Sequence, residues 1–248
     1  MGFSGFAVGS LVNFAVSAAE RIAPRQAFKF KKTYYRPDMG FSLEVLKRGG
    51  YRPGVALDLG AYRGDWALLC RSVFPGVNIL MVEPAPERAA ALEKLCLRQK
   101  NLSVVRALAG AEGQRCYFQE QESNSAVVKM GDGAVEMTSR SLDAIVRGTP
   151  FSRPDLMKLD VQGYEFEVLK GAAETLKSVT VIVMELSLIP LHSFAPSFRD
   201  AVEAMDGYGF RLFDICGFIR RPVDDALWQI DAVFVRKDGE FGRAERGW

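Results

Sequence analysis

The sequence predicts an α/β fold built on a doubly wound, mostly parallel sheet, and three observations carry that expectation. Short apolar runs alternate with helix-forming stretches at a spacing of about 25 residues, the rhythm of successive βαβ units. The first two runs end in a carboxylate, Asp58 and Glu83. A later block, residues 154–171, sets Asp160 at the end of an apolar run, Gly163 just beyond it and Glu165 in the opening turn of a helical pattern.

Taken in order, residues 2–19 carry no charge and are rich in Phe, Val and Ala. Val8, Leu11, Val12 and Ala15 recur at helical spacing, which predicts an amphipathic helix packed on the domain, on a twin subunit in a homo-oligomer, or on a bilayer surface. No positive region precedes the apolar run, and Gly, Ser and Asn interrupt it, against both a signal peptide and a spanning helix. The basic tract Arg21, Arg25, Lys29, Lys31, Lys32 and Arg36 follows, and would favour weak association with an anionic membrane surface. Residues 41–46 read as a short helix before the Gly49-Gly50 turn. The expected organisation is a helical extension over 1–50, one domain over 51–240 and a tail over 241–248.

Arg52-Pro53-Gly54 marks the start of that domain. Residues 55–60 form the first strand run and 66–73 a helix; 78–83 form the second strand and 86–100 an Ala-, Glu- and Leu-rich helix; 102–109 form the third strand. The polar stretch 114–140 is expected to supply short strands and a loop over the site. The second half resumes with strand 155–161, helix 164–177, strand 179–186 and helix 196–205. Two final runs, 210–215 and 229–236, are close enough to form an antiparallel hairpin.

A chain of 248 residues, 48% of them hydrophobic, can bury one full core. Its 32 basic and 30 acidic residues leave a formal charge of +2, so no global field calls for nucleic acid, and a small partner is expected. Cys70, Cys96, Cys116 and Cys216 form no Cys-x-x-Cys pair and have one histidine to share. That spacing argues against a structural zinc site and fits reduced thiols in a cytoplasm; no residue stands out as a metal ligand.

Chemistry concentrates in the loops that follow the strands. By alternation Met157, Leu159 and Val161 face one way while Leu156, Lys158 and Asp160 face the other, making Lys158 and Asp160 neighbours. They form either a buried pair or one wall of a ligand crevice, since unpaired polar groups inside a two-sided sheet are costly. The loop Asp58-Leu-Gly60-Ala61-Tyr62-Arg-Gly64 turns from strand to helix, and its two glycines let backbone N–H groups approach a ligand. Its Gly-x-x-x-Gly spacing departs from the dinucleotide fingerprint, and Asp58 would repel a pyrophosphate. Glu83, 25 positions after Asp58, can accept both hydroxyls of an adenosine ribose. An ammonium-tolerant loop beside a ribose acceptor suggests an adenosine carrying an amino acid, and S-adenosylmethionine fits both.

The order of these blocks resembles the FkbM-type methyltransferase family: Leu57-Asp58-Leu-Gly60-Ala-Tyr-Arg-Gly64-Asp65, Val82-Glu83-Pro84, Ser141-Leu-Asp143, residues 157–172 with their Lys-x-Asp-Val-x-Gly-x-Glu core, and Met184-Glu185. The likeness covers about residues 50–190 and departs from the pattern at Tyr62-Arg63, where a smaller polar residue is commoner. It implies a class I methyltransferase fold with a seven-strand sheet, S-adenosylmethionine as donor with S-adenosylhomocysteine as product, and O-methylation of a hydroxyl on a sugar, glycan or natural product. Asp58, Gly60, Ala61, Tyr62, Gly64, Glu83 and Asp160 are then the expected cofactor residues. Asp160 is the first candidate for the catalytic carboxylate, with Glu165 orienting it or the acceptor. His192, the only histidine, is the alternative base in a proline-flanked loop. Glu185 is expected either in the same crevice or paired with Lys158, and Ser123-Asn124-Ser125 either near the ligand or in an Asx turn. Tyr34, Tyr35, Phe194, Phe198, Phe218 and Trp228 are candidates for an acceptor pocket or for core. Two competing readings are a nicotinamide-dependent oxidoreductase and a methyltransferase-like scaffold without catalysis.

Overall fold

The computed structural model describes residues 23, 38–120, 125–128, 133–189 and 196–242. Residues 1–22 and 24–37 of the extension, with Tyr34 and Tyr35, lie outside them, as do the 121–124 segment and the 190–195 loop with His192 and Phe194. The helix α1 (Met39–Arg48) is followed by β1 (Val55–Leu59), α2 (Asp65–Val73), β2 (Asn78–Val82), α3 (Pro86–Arg98) and β3 (Leu102–Val105). Three short strands come next, β4 (Arg115–Gln119), β5 (Ala126–Val128) and β6 (Val135–Thr138), then α4 (Leu142–Val146). The second half holds β7 (Leu156–Leu159), α5 (Glu165–Lys170), β8 (Val181–Ser187), α6 (Phe198–Gly207), β9 (Phe210–Arg220) and β10 (Leu227–Arg236).

Seven strands form one sheet in the order β3-β2-β1-β7-β8-β10-β9, parallel except for β10, which runs antiparallel to both its neighbours. The chain thus winds outward from β1 in one direction, returns, and winds outward in the other, and the gap opened by that reversal lies above the carboxyl ends of β1 and β7. Both faces are covered, which is why the strands read as near-continuous apolar runs. Leu57, Leu59, Leu80, Val82, Met157 and Leu159 pack with α4, α5 and α6, whereas Ala56, Ile79, Met81, Leu156, Val181 and Val183 pack with α1, α2 and α3. Leu43 and Leu46 of α1 are fully buried in the second layer, and Ser42 Oγ donates to Asp214 Oδ2 at 2.7 Å, so this helix of the expected extension is part of the domain core.

β4, β5 and β6 form a separate antiparallel sheet in the order β5-β4-β6, and its apolar face, Cys116, Phe118 and Val127, packs on Ala85, Leu108 and Tyr164. The polar stretch therefore becomes a roof beside the strand ends.

The single helix expected over 164–177 is broken. α5 stops at Gly171, and a 3₁₀ turn, Thr175–Lys177, follows. A Cβ on Gly171 would lie 2.2 Å from the Gly110 carbonyl oxygen, a contact from a distant loop that the local sequence does not reveal. The Asp143 carboxylate receives the Glu174 and Thr175 N–H groups at 2.9 and 2.8 Å, while Ser141 caps α4 by accepting from Ala144 N–H. The Ser141-Leu-Asp143 block thus fastens the break. Third-strand character ends at Val105, short of residue 109, and the final hairpin is longer than expected, with three register shifts between β9 and β10.

Gly171→Ala is expected to destabilise the domain by about 3 kcal/mol, the upper part of the overpacking range, because backbone rather than a flexible side chain must move. A urea midpoint within error of the unaltered protein would refute the contact.

Candidate functional site

A cavity of about 390 Å³ opens at the carboxyl ends of the central strands, within the size range of small-molecule sites. Its wall is drawn from five strands and the small sheet. Gly60 and Tyr62 come from the loop after β1, and Glu83 and Pro84 from the end of β2; Asp160, Val161, Gln162 and Tyr164 follow β7, and Glu185 with Trp228 and Gln229 come from β8 and β10. Leu108, Phe118 and Val127 close the side nearest the small sheet.

Glu83 is 2% exposed and joins two loops: Oε2 accepts the Tyr62 N–H at 2.9 Å and Oε1 the Ala85 N–H at 3.0 Å. Each carboxylate oxygen can accept a second hydrogen bond, so two acceptor positions remain for a ligand. Burial raises its pKa, while those two amides and Arg88 hold it down. Tyr62 has φ 51 and Gln162 φ 53, left-handed conformations that are uncommon outside glycine. Both residues line the cavity, where such backbone strain tends to gather. The Tyr62 ring lies 4.6 Å from the Arg88 guanidinium and 4.9 Å from that of Arg63, which gives the bulky Tyr62-Arg63 pair a packing role at the rim.

The glycine loop differs from expectation in how it serves the site. The N–H groups of Gly60 and Ala61 donate to Val82 O, that of Tyr62 to Glu83, and that of Gly64 to Ala61 O, so these four amides are spent inside the protein. Gly60 still has no room for a side chain, since a Cβ would sit 1.8 Å from Asp160 O. Gly64 is a packing glycine whose Cβ would meet Leu95 at 2.8 Å, and Ala61 is buried in the core; neither belongs to the cavity wall.

Below the cavity a charged row crosses four adjacent strands. Asp58 on β1 is in register with Lys158 on β7, and Glu185 on β8 faces Asp231 on β10. Lys158 Nζ reaches Asp160 Oδ2 at 2.6 Å and Asp58 Oδ1 at 4.0 Å. It is the one ammonium among these carboxylates in the described residues. Burial alone would depress its pKa, but Asp160 and Asp58 hold it above the ordinary lysine range. The carboxylates that make no close ion pair with it are raised as well, in spite of its charge. Burial, then repulsion from Asp160 and Asp231, lifts Glu185 to about 9, and burial with the charge of Asp160 lifts Asp231 to about 7. Asp58 is wholly buried and rises to about 6; its two oxygens accept no hydrogen bond among the described residues. It lies beneath the cavity, not on the wall where the sequence reading put it.

Glu165 likewise points into the protein. Its Oε1 accepts the Val161 and Gly163 N–H groups at 3.3 and 3.0 Å, bracing the loop that presents Asp160 and Gln162, and burial lifts it to about 7. Glu185 is on the wall and is tied to Gln162 and Gln229, not to Lys158. Of the candidate aromatics, Trp228 lines the cavity, Phe198 packs on the core and Phe218 is exposed. Gln162, Gln229, Phe118 and Leu108 were not foreseen. The first two depend on strand register, the others on the small sheet folding back. Among the described residues no helix is long and apolar enough to cross a membrane.

Replacing Lys158 with Met should cost about 3–5 kcal/mol at neutral pH, because Asp58 is left fully buried, and Asp160 partly buried, without a cation. Urea denaturation at pH about 5 should show a smaller loss, as the carboxylates protonate; an equal loss at both pH values would assign Lys158 to packing alone. The raised carboxylates also set a sign for the unaltered protein. Groups whose folded pKa exceeds the unfolded value contribute stability at low pH that is lost as pH climbs through the folded pKa. For Asp58, Glu165, Asp231 and Glu185 that window runs from about 4 to about 9, so the melting temperature should fall across its upper half. A melting temperature that rises there would contradict the assignment.

Comparison with known proteins bears on the family and the fold. The Methyltransferase FkbM domain family matches residues 58–212. Hexuronic acid methyltransferase AglP of Haloferax volcanii is 25% identical over 147 residues, 58% of this chain and 60% of that protein, so the match spans less than two thirds of the relative. Among solved structures, a fibrillarin/Nop5p complex chain superposes with a TM-score of 0.50 at 18% identity, covering 79% of each chain. A chain described as a putative O-methyltransferase from Klebsiella pneumoniae gives 0.50 at 9% identity, covering 79% of this chain and 78% of its own. The sheet order and these superpositions are those of the class I methyltransferase fold, and the chain belongs to the FkbM methyltransferase family.

Proposed function

We propose that the protein transfers a methyl group from S-adenosylmethionine to a hydroxyl of a sugar or glycan. The observation that carries this reading is the two-ended cavity: at one end Glu83 keeps two open acceptor positions, and at the other the wall is carboxylate-rich. The donor fits both ends. A ribose diol matches Glu83, and the apolar side formed by Leu108, Phe118 and Val127 suits an adenine ring. The sulfonium and ammonium suit a region where one lysine faces several carboxylates. When bound, the cofactor supplies an electrophilic methyl carbon on a positively charged sulfur.

The chain's own residues supply position and field. Glu83 fixes the nucleoside end and, through the Tyr62 and Ala85 amides, couples both flanking loops to it. Asp160, held by Lys158 and by Gln162 Nε2 at 2.9 Å, offers a fixed negative charge to the cationic end. Gly60 keeps the β1 loop close to the Asp160 backbone, which sets the depth of the cavity. Such placement is the main source of rate in a displacement at carbon, where attacking and leaving atoms must be aligned at about 3–3.5 Å. The sugar acceptor is supported by the similarity to the hexuronic acid methyltransferase. His192 remains a proposed alternative base in the loop after β8.

Calorimetric titration with S-adenosylhomocysteine should show binding, and Glu83→Ala should weaken it by roughly 10- to 100-fold, the equivalent of one hydrogen bond to a charged group. Absence of binding to the unaltered protein would remove the methyl-transfer reading; unchanged affinity in the variant would remove Glu83 from the ribose.

A further inference from the structure

Asp160 is the evident carboxylate of the site, yet one of its oxygens holds the ammonium of the buried lysine and the other an amide. Oδ2 takes the Lys158 ammonium at 2.6 Å and Oδ1 takes Gln162 Nε2 at 2.9 Å. A proton arriving at Oδ2 would have to displace the Lys158 ammonium from that contact. Glu185 is arranged differently. Its Oε1 alone receives two amide donors, Gln162 Nε2 and Gln229 Nε2, each at 2.7 Å. Two donors on one oxygen leave the proton-carrying role to Oε2, and Glu185 belongs to the cavity wall.

Its place along the sheet matters as much. Glu83 ends β2 and Glu185 lies near the end of β8, with β1 and β7 between them. Three interstrand steps of about 4.8 Å separate these strands by about 14 Å, so Glu185 is at the far end of the cavity from the ribose-binding carboxylate. Trp228, Gln229 and Gln162 surround that far end. The indole offers a flat apolar face for the C–H side of a pyranose ring, and the amides offer hydrogen-bonding groups at its edge. The basic residue on the cavity wall, Arg88, lies over Tyr62 beside the Glu83 end. The Glu185 end thus favours a neutral hydroxyl over a carboxylate as the methyl acceptor.

We infer that Glu185, not Asp160, takes the proton from the acceptor hydroxyl, and that Gln162, Trp228 and Gln229 form the subsite that holds the sugar. This rests on the methyl-transfer reading of the same cavity. In the step, the acceptor O–H bond breaks and its proton passes to Glu185 Oε2, while an oxygen lone pair forms the new C–O bond. The carbon–sulfur bond breaks with its electron pair going to sulfur. Hydroxyl, sulfonium and carboxylate become ether, thioether and carboxylic acid, so charge balances, and the carboxyl proton is later lost to water. Asp160 from the loop after β7 and Asp231 from β10 strengthen it as a base, and Lys158 opposes them. The sum places its titration near 9, so turnover should rise with pH up to about that value.

The test uses Glu185→Gln, which mimics the protonated side chain and retains an acceptor oxygen for Gln162 and Gln229. Methyl transfer is assayed with methyl glucopyranoside, which has hydroxyls only, and with methyl glucopyranosiduronate, which adds a carboxylate. S-adenosylhomocysteine affinity is read by calorimetry, and the protonated-carboxyl infrared band is followed against pH. Expected are a loss of at least about 100-fold in kcat, affinity for S-adenosylhomocysteine within about threefold, loss of the rising pH limb, and loss of an infrared band that titrates near 9. A variant that turns over within about threefold of the unaltered enzyme, or keeps the same pH limb, overturns the role of Glu185. Failure of the unaltered protein to bind S-adenosylhomocysteine overturns the underlying reading instead. If it binds but methylates neither glycoside, the sugar reading falls, and an infrared spectrum with no band sensitive to Glu185→Gln then overturns Glu185 as well.

Discussion

The ammonium of Lys158 is the constraint on which the rest of the site depends. It stands on a central strand, under a cavity, among carboxylates contributed by both neighbouring strands and by the loop above it. One cation cannot neutralise Asp58, Asp160, Glu185 and Asp231 together. Asp160 takes the direct ion pair, and the others relieve the imbalance by holding protons more tightly than free carboxyls do. Identical chemical groups thereby acquire different tasks from their distances to a single nitrogen. Glu165, by capping the Val161 and Gly163 amides, holds in register the turn that delivers Asp160 to that nitrogen.

Much of this was legible in the chain. The parallel sheet showed itself in apolar runs buried on both faces, and its polarity in Asp58 and Glu83 at successive strand ends. Asp160 and Lys158 were visible as neighbours because strand alternation is a local rule. What stayed hidden depends on contacts between distant segments. The break after α5 comes from the Gly110 carbonyl, and the second role of the Gly60 loop comes from Asp160, a hundred positions away. Asp58 looked like a wall residue because it ends a run beside two glycines, but the loop folds over it. The small sheet could be foreseen only as short strands. That its Phe118 and Val127 reach the ligand cavity follows from a packing between layers.

The Gln162 and Gln229 amides illustrate the limit most directly. Neither residue type is distinctive in a sequence: parallel pairing of β7 with β8 sets Gln162 beside Glu185, and antiparallel pairing of β10 with β8 sets Gln229 within 2.7 Å of it. Register shifts between β9 and β10 fall on either side of Gln229 and distort the hairpin where it meets the cavity.

The family likeness stops at residue 212, inside β9, whereas Trp228 and Gln229 come from the strand that follows. The Glu83 half of the cavity is thus encoded in the shared segment, and part of the opposite half in the β9–β10 ribbon outside it. Divergence in that ribbon can reshape one end of the cavity while the inherited opposite end is left untouched.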